Sequence, residues 1–232
     1  AIAGIIVIVY KLFIIKCTTK IKVNFRAVDK QLEKSIFVFS FWTMAMSVAG
    51  RLIFSVTPSI LGIVANSTAI AVFGVVVTIE GYTYTITTAI NGMFMPTISR
   101  AYYESDDEAR VKLMPLMINV GRFQFSLNGL IFIGFALVGQ SFVSLWVGTD
   151  YTAAYYCILL VIFPGLFFNS LQVANTAMTV RNKVKLQAIV AVVCGVLNVA
   201  LSFALSKFYG VIGACVSICF VFGLRAILYH II

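Results

Sequence analysis

Long apolar stretches separated by short polar ones divide this chain. Residues 1–15 are apolar apart from Lys11 and would supply half a membrane span or more. Residues 16–34 are polar and basic, with Lys16, Lys20, Lys22, Arg26, Lys30 and Lys34 set against Asp29 and Glu33. Six apolar stretches follow, at about 36–61, 68–98, 119–147, 156–179, 186–208 and 211–230. Each reaches the roughly 20 residues that a helix needs to cross the hydrocarbon core of a bilayer. The pattern predicts an all-α integral membrane protein with six complete transmembrane helices plus part of a preceding one. It divides into the end of a helix at 1–16, a linker at 17–35 and a six-helix bundle at 36–232.

The connections carry their own signals. Residues 62–67 form an uncharged turn. The stretch 68–98 would be roughly 46 Å long as a helix, longer than a hydrocarbon core of about 30 Å. It must tilt, protrude, or break near Asn91-Gly92 or Pro96. Ser105-Asp106-Asp107-Glu108 fits a capping box and opens a helix that runs through Pro115 into the third span. Residues 148–155 make a short outer turn, Arg181, Lys183 and Lys185 a basic loop, and Tyr209-Gly210 a tight reversal.

Composition fixes the class. The chain is 61% hydrophobic and 11% charged, with mean hydropathy +1.03, against about 25% charge in a soluble domain. The net charge of +9 reflects placement rather than nucleic acid binding. Fifteen of the 17 basic residues fall in 1–34, 100–122, 181–185 and at Arg225, all on one side of the predicted spans. By the positive-inside rule that side is cytoplasmic. Lys207 alone lies on the other side, and Arg51 is inside the membrane. Trp146, Tyr151, Tyr155 and Tyr156 cluster at the outer interface and Tyr102 and Tyr103 at the inner one, as aromatic belts do. The five cysteines lie mostly in apolar runs and read as packing residues, not as a disulfide framework or metal site. No G-x-S-x-G, P-loop or H-E-x-x-H motif occurs, so neither an enzyme nor a cofactor is expected. The chain begins and ends inside apolar runs and reads as a piece of a longer protein.

Polar residues recur at helical spacing inside the spans. Thr43, Ser47, Arg51 and Ser55 share one face of the first. Glu80, Tyr84, Thr87 and Asn91 share a face of the second, and Gln124 and Asn128 a face of the third. Asn169, Gln172, Thr176 and Thr179 line up in the fourth, and Asn198, Ser202 and Ser206 in the fifth. Such residues often hydrogen-bond between membrane helices. Five striped spans equally fit a shared wet cavity, and the intramembrane charges Arg51 and Glu80 favour it. Candidate cavity residues are therefore Arg51, Glu80, Ser47, Ser55, Tyr84, Asn91, Asn128, Asn169, Gln172 and Asn198. Arg51 and Glu80 fall at roughly 15 and 18 Å below the turn that joins their helices, a depth that would allow a direct or water-bridged pair.

Four short motifs carry a resemblance. They are Phe94-Met95-Pro96-Thr97-Ile98-Ser99-Arg100, Leu145-Trp146-Val147-Gly148-Thr149-Asp150-Tyr151, Val196-Leu197-Asn198-Val199 and Tyr209-Gly210-Val211-Ile212-Gly213-Ala214. In their order and spacing the chain from Lys34 onward resembles the Wzx-type polysaccharide flippases of the multidrug/oligosaccharidyl-lipid/polysaccharide (MOP) exporter superfamily. The resemblance implies a MATE-like transporter lobe. Residues 1–16 would end the amino-terminal lobe, 17–35 would be the cytoplasmic interlobe linker, and 36–232 the carboxy-terminal lobe, in the cell (inner or plasma) membrane. It further implies alternating access that flips a polyprenyl-diphosphate-linked oligosaccharide from the inner to the outer leaflet for O-antigen or capsule biosynthesis. Partners would be the lipid-linked oligosaccharide, membrane lipids, and a glycan polymerase with its export machinery. A drug/cation antiporter or lipid II flippase of the same fold is the alternative within the class. A non-transporting assembly subunit is the alternative outside it.

Overall fold

The computed structural model describes residues 30–103, 106–180 and 183–231. The expected helix end at 1–16, the linker as far as 29, Ser105 of the capping box, and Arg181 of the basic loop lie outside the described residues. Every regular element among the described residues is helical. Five helical segments are long and apolar enough to cross a membrane, so the chain is an all-α, multi-pass membrane protein.

The chain separates into two compact units, 1–38 and 39–232. The described part of the first is the opening of a helix, where the Ser35 hydroxyl donates to the Leu32 carbonyl at 2.8 Å. That helix, α1 (Lys30–Phe54), begins inside the stretch read as linker. It stops where Pro58 approaches, because a proline has no N–H for the carbonyl four residues back and its ring crowds that carbonyl. The short α2 (Thr57–Val64) restarts with the proline in its first turn. The Thr57 hydroxyl donates to the Ile53 carbonyl at 2.6 Å.

The third helix, α3 (Ser67–Tyr103), is 37 residues long. The Asn66 side chain starts it by accepting the Ala69 N–H at 2.9 Å. It neither breaks at Asn91-Gly92 nor at Pro96. At roughly 55 Å it protrudes beyond a bilayer core. The fourth, α4 (Asp106–Trp146), runs unbroken through Pro115 as expected. Gly148, at φ 114°, ends the passage and leads through a 3-10 turn, Thr149–Tyr151, into α5.

The stretch 156–179 is not one helix. It divides into α5 (Thr152–Ser170) and α6 (Gln172–Val180). At Leu171 the N–H turns to Phe168 O at 3.2 Å, a tightened closing turn. The Ser170 hydroxyl bonds back to Leu166 O at 2.5 Å, the kind of local bond that competes with a helix.

The last element, α7 (Val184–Ile231), counts 48 residues but contains Gly210 at φ 57°, ψ −134°. Its two arms, 184–209 and 211–231, fold back on each other. The Tyr229 hydroxyl is 3.2 Å from Gln187 O, two positions that a straight helix would hold roughly 63 Å apart. The reversal is tight: a Cβ on Gly213 would run into the Leu205 carbonyl.

The fifth helix is the hub. It packs on α3, α4 and α7, and its Ala154, Cys157, Ile158 and Val161 sit in a core with Leu61, Phe73, Cys215 and Ile218. Cys157, Cys194 and Cys215 are buried free thiols, which agrees with a packing role. A smaller cluster of Ile98, Leu113, Val120, Val173 and Ala177 joins α3, α4 and α6.

Candidate functional site

A cavity of about 610 Å³ opens among α1, α3, α5, α6 and both arms of α7. The polar stripe of α1, Thr43, Ser47 and Arg51, forms one wall, and Ser55 continues it past the end of the helix. Glu80 and Tyr84 of α3 join that wall. Asn169 at the end of α5, and Gln172, Asn175, Thr176 and Thr179 of α6 also line the cavity. The break at Leu171 is what carries this second stripe around the cavity. Among the described residues no hydrogen bond within the protein engages the side-chain amides of Asn169, Gln172 or Asn175, so they are available to a ligand.

Seven of the ten candidates from the sequence therefore line one cavity: Ser47, Arg51, Ser55, Glu80, Tyr84, Asn169 and Gln172. Arg51 is exposed and Glu80 half-buried. They share the cavity without ion-pair contact, so the direct pair that their depths allowed is not formed.

The other three candidates, Asn91, Asn128 and Asn198, do not line this cavity. Asn91 and Asn128 knit α3 to α4. Gln124 Nε2 donates to Asn91 Oδ1 at 2.9 Å, and Asn128 Nδ2 donates to Thr87 Oγ1 at 3.2 Å and to Gln124 O at 2.8 Å. These residues are buried between helices, where their polar groups need protein partners. Asn198 is fully buried and donates to Ile53 O at 3.4 Å, bonding α7 to the end of α1. Helical spacing gave each stripe its face but could not say which faces meet another helix.

The second arm of α7 supplies residues not foreseen in the sequence. Arg225, counted there as a cytoplasmic charge, lines the cavity with Phe222 and Tyr229. Its guanidinium lies 4.7 Å from the Phe168 ring centre and 5.2 Å from that of Tyr229, within cation–π range. Its Nη2 donates to the Tyr229 hydroxyl at 3.0 Å. That hydroxyl donates onward to Gln187 O, whose side-chain Nε2 donates to Asn175 O at 3.0 Å. The bonds hold the arginine in place and tie α6 to both arms of α7. Phe54, Phe222, Phe168 and Tyr229 follow one another at ring-centre distances of 5.7, 5.6 and 6.0 Å, an aromatic wall behind the arginine. A signal for Arg225 did exist: it is a charge inside an apolar span, one helical turn before a tyrosine.

The cavity thus holds two guanidinium groups, one carboxylate, several free amides and an aromatic wall. It can attract an anion, hydrogen-bond a polyol and stack against a ring face. No protein-family model, no curated protein and no solved structure matches the chain.

Proposed function

We propose that this chain is the carboxy-terminal part of a transporter that flips polyprenyl-diphosphate-linked oligosaccharides across the cell membrane by alternating access. In this reading the two arms of α7 are separate spans. They make six passes with the other helices, arranged as one MATE-like lobe, and residues 17–35 form the cytoplasmic linker from an earlier lobe. The observation that carries it is the cavity. Arg51 and Arg225 outnumber Glu80 there, which suits a diphosphate or acidic sugar, and free amides beside an aromatic wall suit the sugar itself. Charges inside a membrane bundle are costly, and substrate binding accounts for their position. The resemblance of the four sequence motifs supports the same reading.

Glu80 in the same cavity as the aromatic wall also fits a cationic amphiphile, as a drug/cation antiporter of the same fold would bind. One experiment separates the two. In cells lacking the full-length protein, lipid-linked oligosaccharide should accumulate on the inner leaflet. The wild-type protein should clear it, and Arg51→Gln at normal abundance should not. No accumulation, together with increased sensitivity to cationic drugs, would replace the flippase by the antiporter.

A further inference from the structure

A row of aromatic rings crosses from α4 to α5 and back, on the side of α5 turned away from the cavity. Phe132 of α4, Phe163 and Phe167 of α5, and Phe125 of α4 follow one another at ring-centre distances of 5.8, 5.9 and 5.8 Å. None of the four lines the cavity, and Phe125, Phe163 and Phe167 are exposed. Gly129 stands between Phe125 and Phe132 on α4, and a Cβ there would meet nothing within 4 Å. The rings therefore border an open recess.

Arg122 lies one turn before Phe125. With Phe125, Gly129 and Phe132 it keeps the i, i+3, i+7, i+10 spacing of a single helix face. It is exposed, and among the described residues its side chain has neither an ion pair nor a hydrogen bond. Trp146 at the far end of α4 marks one membrane interface. Arg122 is roughly 36 Å away along the helix, just past a hydrocarbon core of about 30 Å. Its guanidinium therefore sits at the headgroup depth of the opposite leaflet. From Arg122 to Phe132 is roughly 15 Å, half that core and so the thickness of one leaflet.

A free cation at headgroup level, continued through one leaflet by exposed rings beside a recess, has the layout of a single anionic lipid. By the positive-inside rule this leaflet is the cytoplasmic one, which carries the anionic lipids. We infer that this face binds one anionic phospholipid of the cytoplasmic leaflet, its phosphate on Arg122 and one acyl chain along the four rings in the recess at Gly129. The site stands apart from the cavity, and it holds whichever substrate the cavity carries.

Native mass spectrometry of the full-length protein in detergent, titrated with phosphatidylglycerol, tests the site. Phosphatidylcholine with the same acyl chains, whose phosphate charge is cancelled within its own headgroup, is the comparison lipid. One phosphatidylglycerol should bind tightly. Arg122→Gln should weaken it roughly fivefold and leave phosphatidylcholine unchanged. Gly129→Leu fills the recess and should weaken both lipids. Arg100→Gln, which removes another exposed arginine, on α3, should weaken neither. No effect of Arg122→Gln or of Gly129→Leu, or an equal loss with Arg100→Gln, would overturn the proposal. So would a second copy or another protein seated on this face, seen as a complex in detergent that Gly129→Leu makes smaller.

Discussion

The Tyr229 hydroxyl bridges the Arg225 guanidinium and the Gln187 carbonyl, at 3.0 and 3.2 Å. It joins the second arm of α7 to the start of the first. One phenol oxygen therefore fixes the position of a cavity cation and closes the hairpin that brings it there.

Tyr229→Phe keeps the ring beside Arg225 and deletes only the oxygen. The loss should cost about 1–2 kcal/mol of stability, within the range for a buried hydrogen bond whose partners lose their acceptor or donor. Thermal unfolding in detergent would show it as a lower melting temperature. An unchanged melting temperature would mean that the bridge does not hold the hairpin.

Gly210 adopts φ 57°, ψ −134°, and Gly213 has a carbonyl where a Cβ would go. A side chain at the first position forces a backbone conformation that costs on the order of 1–3 kcal/mol. Gly210→Ala and Gly213→Ala should each lower the yield of folded protein, measured by size-exclusion profile. Gly223→Ala, with open space around it, should not.

Arg51 and Glu80 share the cavity without touching, so replacing them should not reveal a shared ion pair. The stability effects of Arg51→Gln and Glu80→Gln should add in the double variant to within about 0.5 kcal/mol. Each single variant should still abolish transport if the charges act on substrate. A coupling well above that limit would place the two charges in contact.

Gln124 spans from α4 to Asn91 on α3. Gln124→Leu strands the Asn91 acceptor in a buried seam, at a cost of about 1–3 kcal/mol. Stability should fall while transport per folded molecule stays unchanged, because this network lies outside the cavity. A selective loss of transport at unchanged stability would return these amides to the substrate path.

By the positive-inside rule, the basic asymmetry predicts that residues 62–67 and 148–155 lie outside. Single cysteines at Asn66 and Thr152, both exposed, should react with an impermeant thiol reagent in intact cells, and one at Lys183 should not. Labelling of Lys183→Cys alone would invert the topology.

The apolar runs alone located the helices, because crossing a bilayer requires about 20 uninterrupted apolar residues with every backbone group paired inside the helix. The passage of α4 through Pro115 and the reversal at Tyr209-Gly210 were also legible, since prolines and glycines act locally. The start of α1 at Lys30 and the break at Leu171 were less so. Polar residues such as Asn169 and Ser170 are compatible with a helix, and only their side-chain bonds decide.

For the site, helical periodicity determined which polar residues share a face, and hydropathy determined that Arg51 and Glu80 lie within the membrane. Whether a face is sealed or open was decided by tertiary packing. Asn128 and Asn169 are the same residue type at the same kind of spacing. One is bonded across to α3 and the other borders the cavity, because α4 packs directly against α3 while the end of α5 faces the space shared with α1 and α6. Arg225 shows the same division. Its charge could be read from the sequence, but the hairpin at Gly210 decided that it faces the cavity. A chain reversal sets the rotation of the returning helix through contacts far apart in sequence, which no local pattern records.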